Sequence, residues 1–156
     1  MMRAKSAKRK SNANARHKQS LDLVCPECGE SAVVTVPTRH RFRYAGEKPA
    51  MIDVTLPVRH CQECGFDFLD HEAEQVQHEA VCKHLGLLTP RQIRELRIDL
   101  GLSRVELARL TGFGEATIAR WERGSLIQNA ANDRYLKLLA HRDNVKRLEK
   151  LAVGAK

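Results

Sequence analysis

Two short cysteine-bearing turns constrain this chain more than any other feature: Cys25-Pro26-Glu27-Cys28-Gly29 and Cys61-Gln62-Glu63-Cys64-Gly65. A Cys-x-x-Cys turn aims two thiolates at one point and leaves backbone amides free to bond the sulfurs. The glycine that follows lets the chain enter the left-handed conformation such a knuckle needs. Two knuckles together supply the four thiolates of a closed tetrahedral zinc site. Cys25, Cys28, Cys61 and Cys64 are therefore the expected ligands of one Zn2+ per chain. No position is left for water or substrate, so the expected role is structural. The 32 residues between Cys28 and Cys61 exceed the usual ribbon spacing of about 15–20. They suffice for about three short strands, which the metal would staple into a small sheet. A pair of redox motifs is the competing reading. It calls for a thioredoxin-like βαβ setting, and that pattern is absent from the sequence.

A metal staple fits the composition. With 156 residues, 4% aromatic and 29% charged, the chain suits two small domains better than one large core. No run approaches the roughly 20 apolar residues of a membrane span. The basic N-terminus has no apolar segment behind it, as a secretory signal would. The expected location is therefore the cytoplasm, where thiols stay reduced. The net charge of +8 is unevenly placed. Residues 1–20 hold seven Lys/Arg and no Asp/Glu, residues 21–85 hold six basic against eleven acidic, and residues 86–156 hold fourteen against eight. A basic C-terminal unit suits a phosphate backbone. The acidic middle suits a basic protein partner.

The expected organisation follows these shifts. Residues 1–20 lack apolar periodicity and read as a disordered basic tail, solubilising or loosely DNA-associating. Residues 21–69 form a β-rich zinc domain, with strand-like runs at 31–36, 39–44 and 51–58 and a turn at 45–49. Arg39, Arg41 and Arg43 alternate with His40, Phe42 and Tyr44, as on a half-exposed strand. Residues 70–86 read as a linker helix with a narrow stripe of Ala73, Val76, Ala80 and Val81, ended by Gly86. Cys82 is the unpaired fifth cysteine. His71, His78 and His84 lie near it, but a small packing residue on the helix is the plainer role. His60 reads as a strand-end residue beside Cys61.

Residues 87–156 read as all-helical, giving an α+β protein with a five-helix second domain. Thr89-Pro90 is an N-cap followed by proline at the first helical position. Ile93, Leu96 and Leu100 follow with helical spacing, and Ser103 with Glu106 forms a capping box. Further helices are expected at about 115–123, 129–140 and 143–151. Between Arg104 and Arg123, Leu107, Leu110, Ile118 and Trp121 point to one small core. Ala108 is small where helices cross, and Gly112 sits at a tight turn. This is the bihelical pattern whose second helix enters the major groove. A helical hairpin with a merely charged outer face is the alternative.

By elimination, Glu115, Ala116, Thr117, Ala119 and Arg120 face outward. Arg120 can pair with guanine, Thr117 can reach a phosphate or base edge, and Ala116 can touch a thymine methyl. Glu115 either accepts from cytosine or only favours the helix N-terminus. Arg104, Arg123, Gln128 and Asn129 are candidate phosphate contacts. One such unit binds weakly alone, so a homodimer on a palindromic operator is expected. Tyr135, Leu136, Leu138, Leu139, Val145 and Leu148 belong either to the dimer surface or to core packing.

These motifs in this order resemble the MqsA-type antitoxins, also described as YgiT-type zinc-finger proteins with an Xre-like helix-turn-helix. The carriers are the knuckles at Cys25–Gly29 and Cys61–Gly65, Leu102-Ser-x-x-Glu-Leu-Ala-x-Leu-x-Gly112, and Arg120-Trp-Glu-Arg-Gly124. The resemblance spans roughly residues 24–142. It implies a zinc domain that binds and neutralises a ribonuclease toxin. It also implies a C-terminal Xre/Cro-like domain that dimerises and represses the toxin–antitoxin promoter. The family reads bases with an Asn and an Arg on the recognition helix. Arg120 matches the Arg, whereas Ala116 stands at the Asn position, which implies a different operator. The basic tail also departs from the family, whose first knuckle lies near the N-terminus.

The expected function is thus an autorepressing antitoxin and not an enzyme. A stand-alone regulator with a structural zinc module shares every residue argument. A thiol redox enzyme is disfavoured, since no nucleophile–base pair is visible.

Overall fold

The computed structural model describes residues 23–153. The basic tail at 1–20 lies outside them. Within them the chain is α+β, with one antiparallel sheet and six helices.

The sheet is built on a long hairpin, β1 (Val33–Tyr44) and β2 (Ala50–Cys61). A two-residue β3 (Asp67–Phe68) pairs with Arg59 and His60 of β2, giving the order β1-β2-β3. The sequence suggests separate runs at 31–36 and 39–44, but β1 passes through Pro37 unbroken. The reason is register: Pro37 stands directly opposite Pro57. Neither can donate a backbone N–H, so the pair is accommodated where the ladder needs none.

α1 (His71–Leu85) packs along β2. Asp70 caps its first turn by accepting from the Glu72 and Ala73 amides. The helix buries Ala73, Val81 and Cys82, while Ile52 and Leu56 are buried on β2. The apolar stripe is therefore rotated from the expected one, with Val76 and Ala80 only half-buried. Cys82 is fully enclosed, and burial pushes its thiol up to about 11. It is a packing residue on this helix. Arg59 ties the helix start to the sheet through Asp70, Glu72 and the Thr35 hydroxyl.

Five further helices follow: α2 (Pro90–Asp99), α3 (Arg104–Thr111), α4 (Glu115–Arg123), α5 (Ala130–Leu139) and α6 (Arg142–Val153). Capping boxes open α2 at Thr89 and Gln92, and α3 at Ser103 and Glu106. The α3–α4 turn requires φ of 76° at Gly112, a conformation that strains any residue carrying a Cβ. Ile93, Leu107, Ile118, Trp121, Leu136 and Leu139 form one core. Removing a side chain such as Leu107 from it costs about 2–5 kcal/mol. Tyr135, Val145 and Leu148 pack against that core, whereas Leu138 stays 55% exposed.

Candidate metal centre and nucleic-acid interface

The two knuckles have the same backbone construction. Cys25 N–H donates to Glu30 O and Gly29 N–H to Cys25 O, both at 2.9 Å. Cys61 N–H donates to Phe66 O and Gly65 N–H to Cys61 O, again at 2.9 Å. Gly29 and Gly65 adopt φ of 78° and 76°. The second knuckle closes the end of β2, and Gln62 N–H reaches Ala32 O beside the first. The hairpin thus brings together cysteines far apart in sequence.

The four sulfurs lie within 4.8 Å of one another. Cys25 Sγ and Cys64 Sγ are 3.7 Å apart, and Cys28 Sγ and Cys61 Sγ 3.6 Å. A tetrahedron with metal–sulfur arms of about 2.3 Å has edges of about 3.8 Å. The donor set therefore fits a soft tetrahedral ion. Cys25 and Cys61 are buried and pack with Val33, flanked by Leu23 and Phe68, while Cys28 and Cys64 face outward. The Cys28 amide holds the Cys25 thiol down to about 7, below its ordinary value. At Cys28 the Glu30 amide acts in the same direction. Burial and the neighbouring sulfurs outweigh it and push that thiol up to about 12. Four thiols this close oppose one another's ionisation, and a bound cation removes that opposition. His60 takes no part, since its Nδ1 lies 2.7 Å from Asp67 Oδ1.

On α4, Ile118 and Trp121 are buried, whereas Glu115, Ala116 and Arg120 are exposed and Thr117 and Ala119 half-buried. Gly114 caps the helix without a side-chain bond, so its first amides keep free donors. Phe113 packs edge-on against both Trp121 and Tyr135, anchoring the turn before α4.

The candidate phosphate contacts are not alike. Arg123 is exposed, and Asn129 is an exposed N-cap accepting from the Asn132 amide. Arg104 is half-exposed and gives its Nε to Glu122 at 2.8 Å. Gln128 is not presented to solvent. It is 3% exposed, and its Nε2 donates to Leu88 O and Asp133 Oδ1. A phosphate contact, the role expected for it from sequence, requires an outward amide. The buried carboxylate that captures it comes from α5. Sequence reading also missed Arg97 and Glu122. Their signal lies only in spacing, one on α2 and one on α4, and they meet through the packing of those helices.

Fold and centre together define a small α+β protein whose sheet carries a four-cysteine metal site. The family described as the antitoxin component of bacterial toxin–antitoxin systems, MqsA, matches residues 23–148, and the chain belongs to it. No match was found among curated proteins. The family implies a toxin as partner. Among the described residues no helix is long and apolar enough to cross a membrane.

Proposed function

We propose that the chain is an antitoxin that neutralises a ribonuclease toxin and represses its own promoter. The match of the MqsA family over residues 23–148 carries this reading. In it, residues 21–69 form the zinc domain that meets the toxin, and the helix at 70–86 connects it to a helix-turn-helix domain at 87–156. Zn2+ is the metal because four thiolates select a soft ion without geometric preference. Its role is structural, since all four positions are filled by protein.

For DNA, α3 and α4 are the two helices of the bihelical motif, with α4 in the major groove. Support comes from the division of α4 into a buried face of Ile118 and Trp121 and an outer face of Glu115, Ala116, Thr117 and Arg120. Its open N-terminal amides suit a phosphate. Arg104, Arg123 and Asn129 remain the candidate phosphate contacts. Gln128 is withdrawn from the contact set, because its amide is spent inside the fold. The protein acts as a cytoplasmic homodimer through its C-terminal domain, on a palindrome with half-sites about 34–36 Å apart.

The test is growth of bacteria expressing the adjacent open reading frame, with and without this protein. Arrest by the neighbour and rescue by this chain support the reading. A harmless neighbour overturns it and leaves a stand-alone regulator.

A further inference from the structure

Given the DNA reading above, on which this step rests, we infer that Ala116 and Arg120 read one dinucleotide together. The dinucleotide is a guanine preceded on its strand by a pyrimidine carrying a C5-methyl group. That is TG, or CG once its cytosine is methylated, so DNA methylation becomes an input to binding.

Helical geometry sets the pair. Side chains four residues apart lie one above the other on one helix face, and each Cα–Cβ bond tilts toward the N-terminus. Both residues belong to α4, Ala116 in its first turn and Arg120 one turn on, and both are exposed. The residues between them leave that row. Ile118 is fully buried, and Thr117 and Ala119 are half-buried. Thr117 Oγ1 lies 3.4 Å from the place a Cβ would take at Gly114, back at the helix start. At this level the outer face therefore offers one methyl group and one guanidinium.

The guanidinium is not claimed by the nearest acids in sequence. Glu122, two residues on, is 1% exposed and spent on Arg97 and Arg104. Glu115 is exposed but five residues back, outside the row in which helical side chains meet. Trp121, next to Arg120, is buried and packs edge-on against Phe113, which fixes this turn to the core.

Chemistry then selects the step. A guanidinium pairs bidentately with guanine O6 and N7 in the major groove. In right-handed B-form DNA the C5 edge of the pyrimidine on the 5′ side stacks beside that N7, about 3.4 Å along the axis. A guanidinium seated on guanine runs past this C5 position, and Ala116, one turn back, is placed to close over it. An alanine side chain has neither donor nor acceptor, so the contact it offers a base edge is apolar. The C5-methyl is the apolar group a pyrimidine presents in the groove. Thymine carries it and cytosine gains it on methylation, while uracil and unmodified cytosine lack it.

The experiment is selection of binding sites by the full zinc-loaded chain from a random-sequence duplex library. A second copy of the library, methylated at CG cytosines, runs in parallel, and affinities for the best site are measured at fixed salt. We expect TG in sites from the plain pool and methylated CG among those from the methylated pool. Replacing the thymine of the step by deoxyuridine should weaken binding about 4-fold, the worth of one buried methyl group. Methylating a CG version of the site should strengthen it by about the same factor. An effect at thymine alone assigns the step to TG, and one at methylated cytosine alone assigns it to methylated CG. Ala116→Gly, at an exposed position, should erase these differences while the guanine stays required. Equal affinities within both base pairs of sites overturn the paired reading, and these comparisons need no variant to fold. So does a methyl preference that persists undiminished in folded Ala116→Gly. Enriched sites without the step overturn it alone and leave DNA binding in place. A library from which no sequence is enriched overturns the DNA reading with it.

Discussion

Arg97 of α2 grips Glu122 of α4 at two points, Nε to Oε1 at 2.6 Å and Nη2 to Oε2 at 3.2 Å, with the glutamate side chain 1% exposed. Arg104 of α3 adds a third bond to the same carboxylate, and Arg97 Nη1 also holds Leu102 O. One buried acid thus fixes the mutual positions of three helices, and with them the presentation of Arg120.

Removing this acid strands two guanidinium groups. Glu122→Ala is expected to destabilise the protein by about 3–5 kcal/mol, the range for breaking one side of a buried pair. Urea unfolding of the zinc-loaded chain checks this. A loss below about 1 kcal/mol would mean that the cluster is screened and not structural.

Acid should weaken the fold through the same group. Burial works against the Glu122 carboxylate, but the Arg97 and Arg104 hydrogen bonds outweigh it and hold its pKa below the usual range. At Asp133 burial is likewise outweighed, by Lys137, the Leu88 amide and Gln128. Depressed folded pKa values mean that this stability is fully present above the unfolded values of about 4. It is lost as pH falls through the lower folded values. Stability measured from pH 6 downward should therefore decline below about pH 4, more shallowly in Glu122→Gln. An identical slope in that variant would remove Glu122 from the account.

Cys61→Ser takes a buried thiolate from the end of β2 and should abolish stoichiometric zinc. Metal analysis of the purified variant decides, and a full equivalent of zinc would refute the ligand set. Chelation of the parent chain should likewise cost the sheet its staple, since such sites contribute on the order of 10 kcal/mol to folding. Far-UV circular dichroism should then retain the helical signal of residues 90–153.

On the proposed DNA reading, Arg120→Ala should weaken binding to the operator by about 5- to 150-fold, the worth of about 1–3 kcal/mol for one bidentate base contact. Arg120 is exposed, so thermal unfolding should be unchanged. Undiminished operator affinity, measured at fixed salt, would show that another residue of α4 reads the bases.

The sequence by itself determined what depends on local rules. A glycine two residues past each Cys-x-x pair, a Thr-Pro at 89–90 and a Ser-x-x-Glu at 103–106 set knuckles and helix starts through neighbouring backbone groups. The register of Ile118 and Trp121 against Arg120 follows from helical periodicity alone. Tertiary structure decided what depends on distant partners. Pro37 remains inside a strand because Pro57 faces it. Gln128 turns inward because Asp133 and the Leu88 carbonyl lie within reach. Arg97 and Glu122 meet only because two separately encoded helices pack together. Polar side chains in a sequence carry no mark of which are buried, because the cost of burial is met by a partner that only the fold brings near.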